Sequence, residues 1–66
     1  MVETELAQYQ RFVSEGEERI ARQELRVTAL KHRGDLKHLP HAEMLLDQLR
    51  IAQAGFRDKL SNLRSR

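Results

Sequence analysis

The chain has no cysteine and no tryptophan, and its 66 residues include one proline, three glycines and three aromatic residues. Without cysteine there is no disulfide to staple the fold and no thiolate to bind a metal or attack a substrate. With one proline, two long stretches are free of the residue that most strongly breaks a helix. No apolar run approaches the ~20 residues of a membrane-spanning helix. Met1 to Leu6 already carries Glu3 and Glu5, so it does not read as a signal peptide. The expectation is a soluble cytoplasmic protein without a membrane partner.

Chemistry-bearing patterns are also scarce. There is no glycine-rich phosphate loop and no nucleophile elbow. Asp47 and Asp58 have no base or nucleophile at a fixed helical spacing. The expectation is no catalytic residue, no cofactor and no enzyme activity.

What the sequence does contain is hydrophobic periodicity. Val2, Leu6, Tyr9, Val13, Gly16, Ile20, Gln23, Val27 and Leu30 recur in alternating steps of four and three. That is the seam of a long helix lying against other helices. A second stripe follows Gly34 and Pro40: Ala42, Leu45, Leu49, Ala52, Phe56, Leu60 and Leu63. Gly34 suits the left-handed residue that ends a helix, and Lys31, His32 and Arg33 before it suit the negative end of the helix dipole. Pro40 suits the first turn of the next helix. The reading is an all-α antiparallel hairpin forming one unit over residues 1–66. Helix 1 is expected over about 3–33, a turn over 34–39 and helix 2 over about 40–63.

A domain of this size buries only about 60% of the surface its unfolded chain exposes. Disulfides, metals and oligomerisation are the usual supplements, and only the last has sequence support here. The hairpin is therefore expected to dimerise into a four-helix bundle. Its core and interface would comprise Leu6, Tyr9, Val13, Ile20, Val27, Leu30, Leu45, Leu49, Phe56 and Leu60. Leu46, Gln53 and Leu60 flank the second stripe and widen it, which fits a bundle better than a two-stranded coiled coil. Met44 and Ile51 mark a further face of helix 2, a candidate surface for a protein partner. Ala21, Leu25 and Ala29 form a weaker second stripe on helix 1. Gly16 is expected to allow close helix approach or a slight bend, and Gln23 in the seam to set register.

The net charge of +2 is unevenly spread. Residues 1–18 hold five glutamates against Arg11, a balance of −4, while residues 19–66 carry eleven Lys/Arg against five acids, a balance of +6. Antiparallel closure sets the acidic start beside Arg57, Lys59, Arg64 and Arg66. The turn end stays basic, with Lys31, Arg33 and Lys37.

Three weaker patterns complete the inventory. His32, His38 and His41 cluster within ten residues, but zinc needs three or four ligands, and no metal is expected. Arg33-Gly34-Asp35 matches an integrin-binding tripeptide that helix termination explains equally well. Arg19, Arg22 and Arg26 form a basic stripe on helix 1, the alternative reading being contact with RNA or DNA. Glu15, Glu17, Glu18 and Glu24 interrupt that stripe, and no aromatic residue is interleaved with it.

Two resemblances follow from these residues. Glu15-Gly16-Glu17-Glu18-Arg19-Ile20-Ala21-Arg22-Gln23, with Gly34-Asp35 and Ala42-Glu43-Met44-Leu45-Leu46, resembles a group of short bacterial two-helix proteins. They carry an EGE-R-IARQ first helix and an AE-x-LL second helix. That resemblance implies a helical hairpin and no activity. Here Leu36-Lys37-His38-Leu39 lengthens the turn. In architecture alone the chain is similar to the plasmid copy-number regulator Rop, an antiparallel four-helix dimer that binds paired RNA loops. That resemblance implies RNA binding only as an idea, since no residue motif is shared.

Overall fold

The computed structural model describes residues 3–65; Val2 and Arg66, assigned roles in the stripe and the basic end, lie outside them. Helix α1 spans Glu5–Arg33 and helix α2 spans Leu39–Arg64. They pack side by side as an antiparallel hairpin with principal extents of 48 × 21 × 13 Å.

Each terminus has a chemical cause. The Thr4 hydroxyl accepts a hydrogen bond from the Ala7 amide at 3.1 Å and caps α1. Glu5 then places a negative charge in the first turn. At the other end Gly34 is left-handed, with φ 68°. The Asp35 amide donates to the Leu30 carbonyl at 3.0 Å and the Gly34 amide to the Lys31 carbonyl at 3.1 Å. This paired closure is the Schellman motif, and it satisfies carbonyls that the helix end leaves open.

The turn is held by Asp35. Its carboxylate accepts from the His38 amide at 3.2 Å and lies 3.0 Å from the His38 Nδ1. Its carbonyl accepts from the Leu39 amide at 3.2 Å. Pro40 falls in the first turn of α2, where an absent N–H removes no helical hydrogen bond.

The core is thin. Val27, Leu30, Ala42 and Leu46 are buried together near the turn, with Ile20 and Leu39 packed against them. Towards the open end Tyr9, Phe12 and Phe56 make an aromatic cluster. Tyr9 and Phe12 meet edge to face at 5.4 Å, and Phe12 and Phe56 lie 5.4 Å apart with tilted planes. Such pairs contribute about 0.5–1.5 kcal/mol beyond area burial.

Helix 2 meets helix 1 on a different edge from the one the simple heptad implies. The seam runs through Ala42, Leu46, Gln53 and Leu60, all buried, with Leu49, Phe56 and Leu63 partly covered. Leu45, expected in the core, is 37% exposed, as is Leu6 at the open end. The stripe through Leu45 and Ala52 and the stripe through Leu46 and Gln53 share Ala42, Leu49, Phe56, Leu60 and Leu63. They differ by one residue, or about 100° of rotation. A single partner helix covers one edge, and the edge carrying Leu46 and the hydrogen-bonding amide of Gln53 wins over the one carrying Leu45 and Ala52. That leaves an apolar half-face of α2 without a neighbour in the hairpin.

Candidate interaction face

Two glutamines lock the helices in register. The Gln23 amide of α1 donates from Nε2 to the Ala42 carbonyl of α2 at 2.9 Å. The Gln53 amide of α2 donates from Nε2 to the Val13 carbonyl of α1 at 2.8 Å. Each acceptor is a helix carbonyl with a second lone pair, so the added bond does not displace the helical one. Gln53 is 5% exposed, and its Oε1 is buried without a hydrogen-bond partner. That oxygen sits against Gly16, where an added Cβ would stand 1.9 Å from it. Gly16 therefore makes the close approach possible. The heptad reading gave Gln23 a role in register and Gly16 one in close approach, but placed Gln53 only as a residue that widens the second stripe. The available signal was a glycine in one seam and a glutamine flanking the other, thirteen residues from the end of a 66-residue hairpin.

Interhelical charge pairs distinguish the two flanks. On one, Glu17 meets Arg57 at 2.8 Å and Glu24 meets Arg50 at 3.9 Å. A shallow cleft of about 420 Å³ lies on that side, lined by Val13, Arg57, Leu60, Ser61, Arg64 and Ser65. Glu5 meets Lys59 at 3.3 Å at the open end. These pairs are exposed and contribute about 0–1 kcal/mol each, so they orient the helices more than they stabilise them. Arg57 and Lys59 thus take the complementary positions that the charge distribution predicted.

The opposite flank is bridged by Glu5–Lys59 at the open end of the hairpin and is uncovered along its middle. There Arg19, Arg22, Gln23 and Arg26 of α1 and Leu49 of α2 line a groove of about 430 Å³. Leu45 and Ala52 lie within a turn of Leu49 on the same side of α2, and both are exposed. The groove thus has an apolar wall from α2 and a cationic wall from α1. Arg19 faces Glu15 at 3.8 Å and Arg22 faces Glu18 at 3.5 Å, both i,i+4 pairs along the same helix. Arg26 has no carboxylate partner among the described residues.

The remaining sequence candidates are dispersed. Met44 is 47% exposed and Ile51 is 74% exposed, on the outer side of α2 away from the seam. Leu25, also exposed, lies on the outer side of α1. Among the described residues no three His, Asp or Glu side chains converge as a metal site requires. His38 is engaged with Asp35, and the hydrogen bonds from its side chain and amide hold the Asp35 carboxyl below the usual aspartate range. Among the described residues no helix is long and apolar enough to cross a membrane. The described residues present a ridged helical surface with an apolar and cationic groove. No family model, no curated protein and no solved structure matches this chain.

Proposed function

We propose that the chain is a non-enzymatic helical interaction protein that works through self-association and contacts with other proteins. The observation that carries this reading is the uncovered half-face of α2. Leu45, Leu49 and Ala52 continue the stripe that buries Leu46 and Leu60, yet Leu45 and Ala52 are exposed and Leu49 is only partly covered. The surface area is consistent with this. A compact monomer of 7.8 kDa exposes about 4,400 Å² by the usual scaling with mass. The hairpin exposes 5255 Å², an excess of about 900 Å², close to what one partner contributes to a standard interface. Met44 and Ile51 offer a second apolar contact for a partner of different sequence.

Absolute mass by light scattering over a tenfold or wider dilution series tests the reading, with circular dichroism alongside. A helical dimer is expected. A concentration-independent helical monomer refutes self-association.

The groove of Arg19, Arg22 and Arg26 favours one second reading, a small regulator that binds RNA or DNA. A binder of that kind retains absorbance near 260 nm after low-salt purification and loses it at high salt, because phosphate contacts release counterions. Replacing the three arginines together with glutamine abolishes that retention and leaves contacts to a protein partner through Met44 and Ile51 in place.

A further inference from the structure

We infer that the occupant of the open flank is a second copy of this chain, seated antiparallel, with α1 lying across the α1 of its partner. The inference rests on the self-association reading and adds the face, the orientation and the contacts.

The first observation is the charge pattern of α1. Residues 3–18 carry Glu3, Glu5, Glu15, Glu17 and Glu18 against Arg11, a balance of −4. Residues 19–33 carry Arg19, Arg22, Arg26, Lys31 and Arg33 against Glu24, a balance of +4. The helix is a charge dipole divided at residue 18. An antiparallel copy related by a two-fold axis at that level sets each half against its complement. Arg22 then lies level with Glu15 of the second copy, and Arg19 with its Glu18. Arg19 and Arg22 line the flank that the intrachain pairs Glu17–Arg57 and Glu24–Arg50 leave open; Glu15, two turns from Arg22, shares that side, and Glu18 stands at its outer edge.

The second observation is the level of the apolar residues. Gln53 bonds Val13, and Gln23 bonds Ala42. This register brings the middle of α1 level with Leu49. The same axis passes beside Leu49 and brings Leu45 of one copy near Ala52 of the other. A large residue faces a small one there, as interdigitated layers require. Each copy thereby covers the half-face that its own α1 leaves bare.

The other closed arrangement has the axis along the helices. It would place both turns at one end, with Lys31, Arg33 and Lys37 of each copy side by side. The antiparallel seating keeps these basic ends apart, and like-charge juxtaposition is what usually excludes the wrong pairing.

The test exploits the absence of cysteine. Lys37→Cys, at an exposed turn position, takes a spin label, and the interlabel distance is read in the full-length dimer. Antiparallel seating separates the turns by roughly 50 Å, at 1.5 Å per residue from the middle of α1, whereas the other arrangement brings them within about 25 Å. A second measurement uses two charge-reversed chains, E15R/E18R and R19E/R22E. Each alone sets like charges across the α1 contact, and their mixture restores attraction. A mixture that dimerises at least tenfold more tightly than either variant, with the long label distance, supports the inference. A dimer with the short distance, or with no preference for the mixture, overturns this face and orientation and leaves self-association standing. A wild-type monomer at every concentration overturns both.

Discussion

Gly16→Ala is the most informative perturbation of the hairpin itself. In an exposed helix interior it would stabilise by about 1 kcal/mol, the propensity difference between glycine and alanine. Here the new Cβ would stand 1.9 Å from Gln53 Oε1 and 2.8 Å from its Cδ. The amide must swing away, and it loses its bond to the Val13 carbonyl. That bond contributes about 1 kcal/mol, and re-seating a buried amide adds a cost of similar size. The propensity gain is thus cancelled or outweighed, and Gly16→Ala alone should be neutral to destabilising by about 1 kcal/mol. In a Gln53→Ala background nothing opposes the Cβ, so the same substitution should stabilise by about 1 kcal/mol. The coupling is then about 1–2 kcal/mol, well above the few tenths expected of independent sites. For a domain of this length it appears as a difference of several degrees in melting temperature, about 4–8 °C per kcal/mol. Urea or thermal melts of the four proteins at one fixed concentration give the cycle, because association changes apparent stability. Equal effects of Gly16→Ala in both backgrounds would refute the interlock.

Further outcomes follow from the same geometry. Leu46→Ala should lower hairpin stability by about 2–3 kcal/mol, as a buried leucine does, whereas Leu45→Ala should cost far less in dilute melts and weaken self-association instead, read by mass against concentration. A double-mutant cycle on Glu17 and Arg57 should return no more than about 1 kcal/mol and approach zero in 1 M salt. The lowered Asp35 pKa makes its ionised form stabilising: that contribution is complete above the ordinary aspartate pKa and is lost as pH falls through the lower folded value. An NMR titration should therefore place the Asp35 midpoint below the usual aspartate range, and Asp35→Asn should remove that part of the acid dependence; a normal midpoint would contradict the His38 contact.

Much of this molecule is local. The stops at Gly34 and Pro40, the two long helices and the α1 seam from Tyr9 to Leu30 all follow from short-range patterns. Helix geometry is fixed by neighbours four residues away, and a 3.5-residue period names the buried side of α1 without ambiguity. The antiparallel pairing of acidic start and basic end was equally legible, because opposite charges at the two chain ends meet only one way in a hairpin.

The edge of α2 that meets α1 was decided by the tertiary structure alone. Two overlapping stripes share five residues, and periodicity cannot rank them. The choice depends on Gln53 reaching the Val13 carbonyl across the gap that Gly16 leaves, an interaction spanning 40 residues of chain. From that choice came the burial of Leu46, the exposure of Leu45 and the apolar half-face beside the arginine groove. The sequence by itself determined two helices and their direction; only packing decided which side of α2 remains open, because a side chain's neighbour across a helix interface is a property of two surfaces and not of one.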